Sequence, residues 1–323
     1  MMSNSQQIEL KLEAPGERLD RALAEAHPDL SRMQWQRLIK DGAVALNGRS
    51  VTKASLRLTG GEVITAVLPE VVEVGLEPEN IPLDIRYEDD DILLINKPAG
   101  IVVHPSVGNE TGTLVNAVLY YCPDIEGIDF TLRPGIVHRL DKYTSGLIIV
   151  AKNDRALRYM QAQFKERTIK KRYVALVEGK ITPEAALIDA PLGRDPKQRK
   201  KMAVIPPNSS ATSRESQTKY ETAVAYNNFT LVDCYPITGR THQIRVHLAY
   251  VGYPIVCDHI YGRRKASFPE LKRHFLHAAQ ITFKRPSDEE ELTFTAELPV
   301  ELQAVIDQLE KPIVLDEEEL EIE

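Results

Sequence analysis

Gly135-Ile136-Val137-His138-Arg139-Leu140-Asp141-Lys142-Tyr143-Thr144-Ser145-Gly146 runs directly into the apolar stretch Leu147-Ile148-Ile149-Val150-Ala151. Five consecutive apolar residues fit a strand buried on both faces, so the polar loop before it ends on a rigid support. Asp141 is the only acid in the loop and lies between Arg139 and Lys142. Neighbouring cations favour an ionised carboxylate, and anchorage to a buried strand makes it a poorly mobile oxygen nucleophile. That arrangement suits chemistry better than solubility.

Outward from this strand, short alternating or apolar runs recur. They are Ile92–Ile95, Arg172–Val177, Tyr220–Ala225, Thr230–Tyr235 and Gln280–Phe283, with helices expected near Arg155–Phe164 and Gln243–Val251. Strands interrupted by two helices predict an α+β domain with a mixed, mainly antiparallel central sheet, over residues 89–311, rather than repeated βαβ units. The Glu- and Pro-rich residues 76–88 read as a linker, and the acidic residues 312–323 as a tail.

The first part of the chain reads as a separate small module, residues 17–75, after an extension at 1–16. Ser31 and Gln34 have capping-box spacing before a helix carrying Trp35, Leu38 and Ile39 on one face, which Gly42 ends. Val44-Ala45-Leu46, Asn47-Gly48 and a second strand from Arg49 form the expected hairpin, and a last strand covers Val63–Leu68. Arg32, Arg37 and Lys40 surround the helix with positive charge.

Composition narrows the class. The 323 residues suggest about two domains, and 43% hydrophobic content is enough for a core in each. No run approaches the ~20 apolar residues of a membrane span, and Met1–Gln7 lack the apolar core of a signal peptide. Three scattered cysteines fit neither a disulfide framework nor paired metal-ligand spacing. A soluble cytoplasmic protein without membrane or metal partners is therefore expected. The net charge of −7 argues against a general polycation, yet residues 131–250 hold 21 Lys and Arg against 10 Asp and Glu. A basic region within an acidic protein is the footprint expected of a polyanion partner.

Four segments carry the candidate chemistry: Lys97-Pro98-Ala99-Gly100 with His104, the Asp141 run, Lys170-Lys171-Arg172-Tyr173, and Thr238-Gly239-Arg240-Thr241-His242-Gln243-Ile244-Arg245-Val246-His247. Together they resemble the RluA family of pseudouridine synthases. In the first module, Arg18-Leu19-Asp20, Ser31-Arg32, the helix ending at Gly42, Val44–Gly48 and the closing Gly-Glu-Val-Ile resemble an S4 domain, as in the RluD branch of that family.

The resemblance implies isomerisation of uridine to pseudouridine without a cofactor: the N1–C1′ bond is cut, the uracil turns over, and C5 is joined to C1′. It assigns Asp141 to C1′, where a carboxylate can trap or stabilise an electron-poor sugar carbon. Arg245 would hold that aspartate through a bidentate contact, and Tyr173 would stack on the base and stand near the C5 proton. The buried target must be flipped out, and Arg139 would fill the gap it leaves. The plain alternative for Arg139 is a second salt bridge to Asp141.

Lys97, His104, Thr144, Arg240, Thr241 and His242 are further expected substrate or RNA contacts, as are Arg32, Arg37 and Lys40 of the first module. His138 joins them as a residue shaping the turn rather than a general base. His104, His242 and His247 lack a Cys or acid at ligand spacing, so packing or RNA contact is expected instead of a metal. The basic loop Arg194–Lys201 resembles a phosphate-contacting loop. Ser145 lacks the Gly-x-Ser-x-Gly elbow of a serine hydrolase. Tyr143 stands where the family usually has an acid, and Cys257 where its Pro-Ile-Val-Gly-Asp run has glycine.

The expected substrate is large-subunit ribosomal RNA, with tRNA the nearest alternative within the enzyme class and a monomer the expected state. A different class, an RNA-binding ribosome-assembly factor with an idle catalytic domain, has no physical need for the intact Asp141, Tyr173 and Arg245 set.

Overall fold

The structure is a computed structural model that describes residues 6–27, 30, 32–68, 76–106, 108–123, 125, 134–198, 201–206 and 208–310. The chain divides into two compact units, residues 1–75 and 76–323.

In the first unit, strands β1 (Gln6–Leu12), β2 (Val44–Leu46), β3 (Arg49–Ser50) and β4 (Glu62–Leu68) form an antiparallel sheet ordered β1-β4-β2-β3. Helices α1 (Leu19–Ala26) and α2 (Arg32–Lys40) share its core, where Leu19, Leu23, Trp35, Ile39, Val44 and Ile64 are fully buried. The hairpin turns at Asn47 (φ 48°) and Gly48 (φ 78°), the pair of positive φ angles that a two-residue type I′ turn needs. Residues 6–12, expected to lie outside the module, instead supply a sheet strand. Their Ile8, Leu10 and Leu12 alternate with Glu9 and Lys11, and all seven residues pair with β4. The expected Ser31–Gln34 cap falls partly outside the described residues, and the acidic tail, 312–323, wholly outside them.

The second unit is built on a nine-stranded sheet. Its order is β5 (Ile85–Glu88), β6 (Ile92–Lys97), β7 (Ser145–Ala151), β15 (Leu276–Lys284), β8 (Lys170–Glu178), β14 (Phe229–Pro236), β13 (Gln217–Ala225) and β9 (Ala185–Asp189). The ninth strand, β16 (Glu291–Thr295), pairs with the later half of β15. Every pairing is antiparallel except β7 with β15, so the sheet is mixed but mainly antiparallel. The presumed linker ends in a strand: Ile85 to Glu88 form an edge of this sheet.

A separate three-stranded sheet consists of β10 (Leu192–Arg194), β11 (Met202–Val204) and β12 (Ser213–Arg214). Helices α4 (Asp154–Glu166) and α5 (Gln243–Tyr250) lie where periodicity places them. Two more, α3 (Leu114–Tyr121) and α6 (Val300–Ile306), were not expected. Strands β6 and β7 are the centre of one apolar core, with α3 and α4 contributing Leu114, Val118, Leu157 and Met160. A second core joins β8 and β14 to Ile244 and Leu248 of α5 and Leu302 and Val305 of α6. Among the described residues, no helix is long and apolar enough to cross a membrane.

Candidate active site

Asp141 lies in the loop that feeds β7. Its carbonyl accepts from Thr144 N at 3.1 Å, closing a turn, and its side chain is 17% exposed at a cleft of about 520 Å³. The sequence neighbours are not its partners. Lys142 Nζ donates to Asn109 Oδ1 at 3.0 Å and lies 5.8 Å from the Tyr143 ring centroid. Arg139 is exposed at the cleft and makes no salt bridge to Asp141.

The cation that touches Asp141 comes from α5. Arg245 Nη1 donates to Asp141 Oδ2 at 3.0 Å. The expected bidentate contact is absent, because the other edge of the guanidinium is taken. Arg245 Nε and Nη2 donate to Asp258 Oδ2 and Oδ1 at 2.7 and 2.9 Å. The Asp258 side chain is fully buried, and its Oδ1 also accepts from the backbone N–H groups of Ile260 and Tyr261. Burial alone would raise the Asp258 carboxyl, but the Arg245 hydrogen bonds and charge hold it down at about 2. Burial likewise opposes the Arg245 charge, and the two aspartates more than restore it.

The remaining wall is aromatic and weakly basic. Tyr173, on β8, lines the cleft, and burial raises its phenol so that it keeps its proton at neutral pH. Lys171, two residues earlier on the same strand, is pushed down to about 8 by burial and sits 5.7 Å from the Phe164 ring centroid. His242 adopts a left-handed φ of 57° at the start of α5, with its Nε2 4.0 Å from Asp141 Oδ1 and its Nδ1 2.8 Å from Tyr261 Oη. Burial lowers His242, so a neutral imidazole faces Asp141.

Several expected contact residues serve as supports instead. Lys97 is fully buried and donates from Nζ to the carbonyls of Pro98, Ile101 and Lys142, so it cannot touch RNA. His104 is also buried. Thr144 Oγ1 lies 2.8 Å from His274 Nε2 inside the protein. His138 Nε2 accepts from Ile149 N at 2.9 Å, and the ring stacks on Phe164 with centroids 4.7 Å apart. Burial pushes His138 down to about 3, so it shapes the turn as a neutral ring.

His247 bridges Thr218 Oγ1 and the Ala190 carbonyl. Among the described residues, no group of three His, Cys, Asp or Glu side chains could hold a metal ion. Arg240 and Thr241 do line the cleft, Arg240 with its Nε on the Glu215 carbonyl at 3.0 Å.

In the first unit, Arg32 Nε donates to the buried Asp20, which also accepts from Arg18 and Gln36. Lys40 is exposed, and the Arg37 side chain lies outside the described residues. Cys257 takes φ 56°, a conformation glycine would adopt without strain. Tyr143, the other departure, is 44% exposed, while its carbonyl accepts from Arg273 Nη1 at 3.1 Å.

Residues 91–250 match the RNA pseudouridylate synthase family, and residues 17–64 match the S4 domain. An uncharacterised RNA pseudouridine synthase of Bacillus subtilis, YlyB, is 42% identical over 93% of this chain and 96% of its own length. An uncharacterised RNA pseudouridine synthase of Chloroflexus aurantiacus is 49% identical over 91% of this chain and 90% of its own. The chain belongs to the RNA pseudouridylate synthase family.

The solved structure of human RNA pseudouridylate synthase domain containing 1 superposes with a TM-score of 0.57 at 28% identity, covering 70% of this chain and 88% of that one. Sequence reasoning missed Asp258 and Tyr261. The Pro254-Ile255-Val256-Cys257-Asp258 run holds the signal, in the aspartate that follows the cysteine.

Proposed function

We propose that this synthase isomerises uridine in large-subunit ribosomal RNA, with the Asp141 carboxylate acting at C1′ of the flipped nucleotide. The observation that carries the reading is a carboxylate at a cleft, with one oxygen fixed by a buried guanidinium and an aromatic ring on the cleft wall. The N1–C1′ bond breaks, the uracil rotates in the cleft, the C5–C1′ bond forms, and the C5 proton is replaced by one on N1. Atoms and charge balance without a co-reactant.

Tyr173, which lines the cleft, provides the face against which the detached uracil turns. Arg139, exposed beside Asp141, is free to take the space the base leaves. The S4 module, residues 17–75, holds the RNA. Ribosomal RNA is favoured because relatives called ribosomal large subunit pseudouridine synthase D, from Zymomonas mobilis and Vibrio vulnificus, are 39% and 38% identical over 94% and 95% of the chain.

The test is a map of pseudouridines in total RNA from a strain lacking the protein, complemented with wild type or Asp141→Ala. Sites lost from large-subunit ribosomal RNA and restored by wild type alone support the proposal. Loss confined to tRNA transfers the activity to that substrate, and restoration by Asp141→Ala removes Asp141 from the chemistry.

A further inference from the structure

We propose that Tyr143, at the corner of the turn that carries Asp141, is a stacking platform for the base of a nucleotide next to the target uridine, with the Lys142 ammonium beside the ring facing that nucleotide's phosphate. The inference rests on the reading of Asp141 given above, because a uridine flipped onto Asp141 leaves its neighbours outside the cleft. Thr144 N donates to the Asp141 carbonyl at 3.1 Å, so Lys142 and Tyr143 occupy the two corner positions of a β-turn. The Tyr143 Cα is therefore no more than about 7.6 Å from that of Asp141. Asp141 lines the cleft and Tyr143 does not, so the tyrosine is close to the carboxylate yet outside the cleft.

The fold makes little use of the ring. It is 44% exposed, and among the described residues its hydroxyl makes no hydrogen bond and its face meets no other aromatic ring. The backbone beneath it is fixed. The Tyr143 carbonyl accepts from Arg273 Nη1 at 3.1 Å, and the Lys142 carbonyl accepts from Gly100 N at 2.8 Å and Lys97 Nζ at 3.3 Å. An aromatic side chain on so rigid a corner loses little freedom when a base stacks on it. Lys142 Nζ lies 5.8 Å from the ring centroid and donates to Asn109 Oδ1 at 3.0 Å, which leaves two of its N–H groups for a ligand. A ring and an ammonium side by side match the base and the phosphate of one nucleotide. The family usually has an acid at this position, so the isomerisation itself does not require the tyrosine.

Stacking of one base on an aromatic side chain changes affinity by about 5- to 100-fold. The test uses the full chain and an RNA stem-loop carrying the uridine identified by the pseudouridine map, whether that lies in ribosomal RNA or tRNA. Tyr143→Ala should raise the Kd at least fivefold, while the single-turnover rate at saturating RNA stays within threefold of wild type. Tyr143→Phe should bind within twofold of wild type, because the hydroxyl makes no hydrogen bond. Tyr120→Ala, which removes an exposed ring from α3, should do the same. Stem-loops made abasic at the nucleotide before or after the target identify the stacked base. At one of those two positions, wild type and Tyr143→Ala should bind with Kd values within twofold of each other.

A Tyr143→Ala Kd within twofold of wild type overturns the assignment. So does an equal loss in Tyr143→Phe or Tyr120→Ala, or a Tyr143→Ala loss that persists in both abasic stem-loops. Restoration of the map by Asp141→Ala overturns the reading of Asp141, whereas these Kd values decide on Tyr143 alone.

Discussion

Replacement of Gly146 by alanine tests whether the loop bearing Asp141 is anchored as described. Gly146 pairs with Lys97 of β6 on one side and, within the parallel pairing of β7 with β15, with Ala278 on the other. Its φ is +116°, and an added Cβ would stand 2.3 Å from the Ala278 oxygen and 2.6 Å from its nitrogen. The backbone conformation costs a non-glycine residue about 1–3 kcal/mol. The overlap involves backbone atoms, which no side-chain rotation can relieve, and adds a further ~1–3 kcal/mol as β7 shifts. At about 2–4 °C per kcal/mol, Tm should fall by roughly 5–20 °C.

Gly252→Ala is the control, because φ there is +93° but nothing lies within 4 Å of the added atom. Thermal unfolding of the full chain followed by circular dichroism reads both. A Gly146→Ala loss no larger than that of Gly252→Ala would refute the claim that β7 and β15 approach too closely for any side chain.

Two further perturbations address the cleft and its support. Burial pushes Lys97 from 10.5 down to about 7, so between pH 7 and 10 the unfolded chain binds more protons and wild-type stability rises with pH, by up to about 1.4 kcal/mol per unit. Lys97→Met should lack this contribution in denaturant titrations across that range, and parallel pH dependences would contradict it. Tyr173→Phe keeps the ring but removes the hydroxyl proposed to stand near the C5 proton, so tritium release should fall at least ~100-fold while RNA affinity holds. Release within threefold of wild type would leave Tyr173 as a platform only.

What could be read from the sequence follows from what each element needs. Strands β6 and β7 carry the apolar runs Ile92–Ile95 and Leu147–Ala151 because both faces are buried, and the Asn47-Gly48 turn carries its own φ requirement. Helix α3 escaped because Leu114 to Leu119 are buried all round, which erases the 3.6-residue period. Its start was marked only by Thr113, capped reciprocally with Asn116. Strands β1 and β5 do alternate, but both are edge strands: β1 pairs with the distant β4, and β5 has only four residues before the turn into β6. Within the site, the motifs singled out Asp141, Tyr173 and Arg245, and all three line one cleft. It misassigned Lys97 because a lysine in a polar motif looks exposed, and burial on three carbonyls is a tertiary fact. It missed the Asp258 fork because local spacing could not say which of two aspartates would take which edge of one arginine.

The loop carrying Asp141 has no regular structure, yet its backbone is held from several directions. The Lys142 carbonyl accepts from Gly100 N at 2.8 Å and from the buried Lys97 Nζ. The Tyr143 carbonyl accepts from Arg273, whose Nη2 also reaches Ser145 Oγ and Glu301 of α6. Thr144 is fixed to His274, a ring that burial lowers to about 3 and thereby keeps neutral. These ties come from β6 and the segment entering β15, which pair with β7 on its two sides. A loop so constrained cannot adjust to substrate, so the substrate must adjust to the loop. Preorganised geometry of this kind stabilises charge as it develops without reorganising at the moment of reaction. The contrast within the cleft is between Arg139 and Thr241, which are exposed, and Arg245, which is buried with Asp258 behind it.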